Sequence, residues 1–449
     1  MPNNGQNISQ ELLAKANQEL LPTQEKDRTL KTRDLLVLCS SMVINVVGLV
    51  IPAQVLLRGG YSPIEVLIAC FFGFLLVTVL ITLTGDIGTR YGVPFTIFIR
   101  DCLGKQGAKI GAICRAIVCL TWCGVILFLG TQAINAIIEI VTGVSMFWVI
   151  FITYASLQLF NASRNVDSMS KFGTLAVPIL ACGLVSLVAW LLQEHQISLP
   201  DIVTASPLEG TGFSFITVIA IFSGGWLSEA LNGSDLTRKL KLPENSASSS
   251  FFARNKRTIF CFGLGFVGTG LLLTLAGLIS AYLTKSDNPI GMLQIAFADN
   301  ATILIISCII IVFAQWTVNT CANIFPATLI MLNFFPKLTF AKATWLVGLI
   351  SILMMPWLLL SYLDYVQMIF SAILAPILAI MLVHYYLIRK CHLNLENLYS
   401  DDIPNWRKPG ITALVIGLVS GMIGYNFAFF IAFPITAIIY YLLAKKANI

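Results

Sequence analysis

Residues 222–241 read FSGGWLSEALNGSDLTRKLK. They close a long apolar run, yet they hold a glycine pair, a tryptophan, a glutamate and an Asn-Gly-Ser-Asp series. A helix facing lipid has no use for this composition. Gly224 and Gly225 each weaken a helix by ~1 kcal/mol relative to alanine. Glu229 at membrane depth costs a few kcal/mol more unless it faces protein or water. The stretch reads as a broken helix lining an internal site.

The surrounding chain is a membrane protein by composition. It has 449 residues, 57% of them hydrophobic and 11% charged, whereas soluble domains carry about 25% charged residues. A span needs ~20 apolar residues to cross the hydrocarbon. The apolar runs predict twelve, over 35–56, 64–84, 113–138, 146–160, 172–192, 213–231, 259–283, 303–323, 345–360, 366–387, 411–424 and 428–443. With the N-terminus inside, all 28 Lys and Arg except Arg58 and Lys285 fall on the inner side. The outer loop 193–211 instead carries Glu194, Asp201 and Glu209. By the positive-inside rule this asymmetry places both termini in the cytoplasm of a plasma (inner) membrane. The net charge of +6 is spread over these loops and points to no nucleic acid. Residues 1–33 lack the apolar core of a signal peptide. Ile8, Leu12, Leu13 and Leu20 mark a weak amphipathic pattern, and a mobile tail is expected there. The eleven cysteines form no CxxC and read as small buried thiols.

A second interruption stands in the first span, where Asn45, Gly48 and Pro52 break an apolar run. Pro178-Ile179-Leu180-Ala181 in span five reappears as Pro376-Ile377-Leu378-Ala379 in span ten, five spans later and in the opposite direction. The expected fold is all-α and polytopic, with twelve transmembrane helices. Two inverted five-helix repeats (35–192 and 213–388) follow a tail over 1–34. A loop over 389–410 and two further helices with a short tail (411–449) complete it, and helices one and six are broken. Interrupted spans at matching positions of two repeats point to a transporter binding site.

Polar residues inside the spans are the candidates for that site. Gln315, Asn319 and Asn323 recur every four residues and form one stripe on span eight. Lipid cannot satisfy amides, so the stripe faces protein, as interhelical glue or as a ligand contact. Trp122 and Trp226 lie deep in their spans. Two indoles stack a flat heteroaromatic ring or serve as ordinary packing. Glu229 is a protonatable coupling group or the partner of an inner Arg or Lys. Asp235 and Arg238 form an i, i+3 pair that reads as a cap or gate, and Asp86 in a Gly85-Asp86-Ile87-Gly88 turn reads the same way. The sequence shows no HExxH, P-loop or GxSxG, so it is read as a transporter rather than an enzyme.

Several stretches resemble the nucleobase–cation symporters, the family of cytosine, purine and hydantoin permeases. These are Gly85-Asp86-x-x-x-Arg90-Tyr91-Gly92-Val93-Pro94-Phe95 with Arg100 and Leu103-Gly104, Trp122-Cys123-Gly124, Gly224-Gly225-Trp226, Ser234-Asp235-x-x-Arg238 and Asn319-x-x-x-Asn323. Leu353-Met354-Met355-Pro356-Trp357, placed in span nine, is similar to the family's hydantoin permeases. The resemblance implies a four-helix bundle set against a hash-like scaffold. It implies that Trp122 and Trp226 sandwich the substrate ring, that Asn45 and Asn323 read its edge, and that Asn319 belongs to the same set. A sodium ion would be held by the carbonyls of Ser41, Ile44 and Ala314 and the hydroxyl of Thr317, with no other cofactor. The implied activity is symport of a nucleobase or related heterocycle with Na+ or H+ by alternating access. An amino-acid or amine transporter on the same fold, or a channel, is the competing reading. The partners are a small heterocycle and the bilayer, and a monomer suffices.

Three departures bear on specificity. Ile126 stands where the hydantoin permeases carry a glutamine. Val318 stands where the sodium site has a second hydroxyl, which shifts weight toward a proton carried by Glu229 or Asp235. Pro326 follows Asn323 by three residues rather than four, so the end of span eight is expected to differ in shape.

Overall fold

A computed structural model describes residues 18–164, 166–210, 212–243, 249–400 and 402–447, without the side chains of 166–177 and 296. The described elements are helical apart from one isolated bridge. α1 (Thr32–Val43) and α2 (Val47–Gly59) form one span bent by 48°. α3 (Pro63–Tyr91), α4 (Phe95–Leu103), α5 (Lys105–Thr142), α6 (Phe147–Ala162) and α7 (Val166–Glu194) complete the first half. The sixth span is three pieces, α8 (Phe215–Gly224), α9 (Leu227–Leu231) and α10 (Gly233–Thr237). α11 (Phe251–Thr284), α12 (Ala301–Phe334), α13 (Phe340–Leu353), α14 (Pro356–Ile388), α15 (Lys408–Ile423) and α16 (Tyr425–Lys446) follow. Among the described residues, six helices are long and apolar enough to cross a membrane, and the bent pair makes a seventh. Five shorter apolar helices stand at the remaining expected spans.

Packing sorts these helices into groups. α3 packs against span six and α11, and α11 packs against α2. α5 packs against α6, α12 and α13. α14, α15 and α16 pack on one another. The first two groups meet along the broken spans, so whatever the breaks expose lies at the seam between them.

Several expectations are corrected. Residues 85–88 are not a turn: α3 runs through them to Tyr91, where Gly92 takes a left-handed φ of 68° and ends the helix. Asp86 lies inside α3 and accepts from Arg254 (2.7 and 2.9 Å), Asn255 and Tyr385 (3.0 Å). Met354 and Met355 do not lie within span nine. α13 ends at Leu353, Met355 turns the chain at a φ of 45°, and Pro356 begins α14. Pro326 is absorbed by a π-helical stretch, Asn319–Ile324, just before it. A proline offers no N–H and crowds the carbonyl four residues earlier, and the wider turn accommodates both demands.

The tail expected to be mobile is pinned from residue 18 onward, while Ile8, Leu12 and Leu13 lie outside the described residues. Leu30 pairs with the segment after α10 through Leu30 N–H to Lys239 O (2.9 Å) and Lys241 N–H to Leu30 O (2.7 Å). Thr23 N–H donates to Gly92 O (3.0 Å), and Tyr399 donates to Leu20 O (2.7 Å). Arg238 donates to the carbonyls of Glu19 (3.0 Å) and Leu21 (3.4 Å), so it serves this segment. Asp235 instead caps α4, accepting from Phe95 N–H at 3.1 Å. At the far end of α4, Asp101 binds Arg389 (2.6 Å) and Arg407 (3.0 Å). Burial alone would raise its pKa, but His384 and the Arg389 guanidinium hold the carboxyl well below its usual range.

Candidate functional site

The break in span one is sealed by amides. α1 stops where Ile44 turns extended, and α2 restarts at Val47. Each half-helix leaves backbone groups that need partners. Asn45 Nδ2 donates to the carbonyls of Val43 (2.9 Å) and Met42 (3.3 Å), while its Oδ1 accepts from Gly48 N–H (3.0 Å). Gln315 of α12 reaches across and accepts from Val46 N–H at 3.0 Å. Two carbonyls, those of Ser41 and Ile44, accept no hydrogen bond among the described residues.

The break in span six is made by close approach. A Cβ on Gly224 would strike the Gln367 backbone carbonyl, so only glycine lets α8 lie against α14 there, while one on Gly225 would meet the movable tip of the Gln367 side chain. Thr84 of α3 donates to the Ala230 carbonyl, and Thr237 donates to Gly85 O (2.6 Å). These bonds tie the short pieces of span six to α3.

Between the breaks lies a cavity of about 60 Å³. On this measure one water needs ~10–15 Å³, so the space suits a few waters or part of a small ring. Asn45, Gly48 and Ile51 line it from span one, and Trp122 and Ile126 from α5. Gly225, Trp226, Ser228 and Glu229 line it from span six, Val318, Ala322 and Asn323 from α12, and Gln367 from α14. Trp122 is held edge-on by Phe370, with ring centres 5.8 Å apart. Trp226 rests on Phe74 (5.9 Å) and Phe266 (5.6 Å). Both indoles therefore border one space, each fixed by its own aromatic neighbour.

The α12 stripe divides by role. Asn323 borders the cavity and donates from Nδ2 to Asn319 Oδ1 (3.2 Å). Asn319, expected as a substrate contact, stands behind it and is absent from the lining. Its Nδ2 is committed to Gln158 Oε1 (2.9 Å) and Cys123 O (3.3 Å). Asn319 orients Asn323. Asn45 does line the cavity, but both of its amide protons go to span one's own carbonyls.

Glu229 does not make the direct ion pair with a basic residue that one reading expected. Its Oε1 accepts from Ser228 Oγ (3.3 Å), and its Oε2 has no partner among the described residues. Arg115 spends its Nε on Ser228 O (3.2 Å). In the proposed cation set, Ile44 and Ala314 pack in one cluster, and Thr317 Oγ1 donates to Ala314 O at 2.9 Å. Val318 borders the substrate cavity. A hard cation takes oxygen ligands, and the carbonyl end of a half-helix supplies them with favourable polarity. The free carbonyls of Ser41 and Ile44 meet that requirement.

Sequence reasoning missed Gln367 and Gln158. Each is a lone amide within an apolar run, and a polar side chain at such depth is itself a signal.

The family described as permeases for cytosine/purines, uracil, thiamine and allantoin matches residues 22–444. The chain belongs to that family. It is an integral membrane permease, and the family is one of transporters. The permease is 23% identical over 403 residues to the hydantoin permease of Microbacterium maritypicum, covering 89% of this chain and 82% of that one. It is 27% identical over 434 residues to the purine-uracil permease of Arabidopsis thaliana, covering 91% and 70%. Its fold is similar to that of Mhp1, a nucleobase-cation-symport-1 family transporter solved in a closed conformation with bromovinylhydantoin bound. The TM-score is 0.88 at 21% identity, over 96% of both chains. A Na+-coupled sialic acid symporter shares the fold more distantly, with a TM-score of 0.65 and 10% identity, over 99% of this chain and 94% of that one.

Proposed function

We propose that this permease imports a nucleobase or a related planar nitrogen heterocycle across the plasma (inner) membrane, driven by a Na+ or H+ gradient. The observation that carries this reading is a cavity bordered by both Trp122 and Trp226. Its place at the seam between two interrupted spans suits alternating access, in which one helix group rocks against the other around a fixed site. The indoles cover the ring's faces, and Asn323, held by Asn319, reads its edge. Sodium would sit by the carbonyls of Ser41, Ile44 and Ala314 and the Thr317 hydroxyl. Glu229 is the candidate carrier if protons drive the cycle, since one of its oxygens is free. Asp235 is tied to α4 and suits a structural role better.

Uptake in cells lacking their own permeases tests this. Nucleobases, hydantoin or a pyrimidine precursor should compete, and Trp226→Ala should cut uptake at least ~10-fold, about 1.4 kcal/mol of lost ring contact. Competition by none of these compounds overturns the substrate class. Uptake indifferent to sodium but abolished by a protonophore would assign the coupling to Glu229.

A further inference from the structure

We propose that the cavity selects a heterocycle bearing an amino group beside a ring nitrogen, and that Gln367 and Glu229 read that edge. The inference rests on the preceding reading that this cavity is the substrate site. Glu229 is 2% exposed and Gln367 3% exposed. Oε2 of the first and Oε1 of the second find no hydrogen-bond partner among the described residues, yet both residues line the same cavity. A buried acceptor without a donor costs ~1–3 kcal/mol, and more when it is charged.

A bound ring that brings donors to these oxygens removes that cost, and a ring that brings none leaves it in place. The rest of the wall sharpens the demand. Asn323 turns its Nδ2 back to Asn319, which leaves its carbonyl oxygen as the free end of the amide. Asn45 has committed both amide protons. Ile126 and Val318 ask for nothing. The Gln367 amide thus offers an acceptor and a donor side by side, and the free Glu229 oxygen adds a further acceptor to the same wall.

A ring dione brings about as many carbonyls as N–H groups, and some of those carbonyls must abut the wall's oxygens. Exchanging one carbonyl for an amino group also strips the neighbouring ring N–H, so the edge now offers two amino protons beside one acceptor nitrogen, a match for the Gln367 amide with the Glu229 oxygen. Cytosine against uracil and guanine against xanthine are matched pairs that differ by this exchange. Specificity built on such a site is steep, because the wrong member leaves buried groups unpaired.

The test is a thermal-shift titration of the full chain in detergent with each of the four compounds. The expected result is that cytosine and guanine bind at least ~10-fold tighter than uracil and xanthine. In Gln367→Leu, and separately in Glu229→Gln, the gap should narrow to about threefold. Uracil and xanthine binding as well as their partners would overturn this inference and leave the proposed function standing. So would a gap unchanged in both variants, which would place the selection elsewhere. Binding by none of the four would overturn the inference together with the nucleobase reading. The wild-type comparison decides even if a variant fails to fold.

Discussion

The two broken spans solve the same problem in opposite ways. In span one the break is closed by side chains dedicated to it: Asn45 bridges both half-helices, and Gln315 takes the Val46 N–H. In span six the backbone is served from outside by Thr84 of α3. The side chains of span six are left over. Glu229 Oε2, both amide atoms of Asn232 and Ser234 Oγ are buried and unpartnered among the described residues. No side chain between residues 41 and 48 is in that condition. In its side chains one break is therefore a finished joint apart from Gln315 Nε2, with only backbone carbonyls left over, and the other keeps unspent side-chain hydrogen-bonding capacity. Unspent capacity in a membrane interior is expensive, which is why it marks the working face.

The largest expected effect follows from this contrast. Asn45→Ala removes three hydrogen bonds and takes the side-chain donor from the Met42 and Val43 carbonyls, while Gly48 N–H keeps its bond to Asn45 O (3.2 Å). At ~1–3 kcal/mol for each orphaned group, the variant should lose about 3 kcal/mol or more of stability. It should melt well below the wild type in detergent and transport nothing. Glu229→Gln should do the reverse, with an unchanged melting temperature and transport reduced at least ~10-fold. If Asn45→Ala melts like the wild type, or Glu229→Gln melts like a broken fold, the contrast between the breaks is wrong.

A smaller effect is expected where span six meets α14. Gly225→Ala puts a methyl group into the Gln367 amide. The Gln367 tip is the flexible partner, so it should swing aside while the helices stay packed. Substrate affinity should fall about tenfold with little change in melting temperature. A loss of folding equal to that of Asn45→Ala would mean that the glycine pair serves assembly and leaves recognition to others.

Much of this arrangement was legible in the sequence, for identifiable reasons. Both breaks announced themselves because glycine, asparagine and a carboxylate in apolar runs have no lipid-facing explanation. Depth and periodicity single out Trp122, Trp226 and Asn323, and all three border the cavity. What stayed hidden depended on partners far away in sequence. Nothing local distinguishes Asn319 from Asn323, and only the packing of Gln158 against α12 turns one of them away from the cavity. Gln367 matters because Gly225 lies against it, 142 positions away by the numbering. The pinned segment from residue 18 onward gave little apolar signal beyond Leu20, since much of its hold comes from backbone and arginine hydrogen bonds.

The smallest effect concerns the oxygens that span one has not used. The Ser41 and Ile44 carbonyls are free at the end of α1, and Thr317 stands beside Ala314. If a sodium ion uses them, Thr317→Ala removes one ligand of several, and the backbone carbonyls remain. The sodium concentration for half-maximal uptake should then rise about threefold, while substrate affinity at saturating sodium stays the same. The hydroxyl already donates to its own helix, so its loss should leave the melting temperature untouched. An unchanged sodium response would assign the coupling to the free carboxylate of span six. The finished joint would then be purely mechanical, and both chemistry and recognition would lie on the other break.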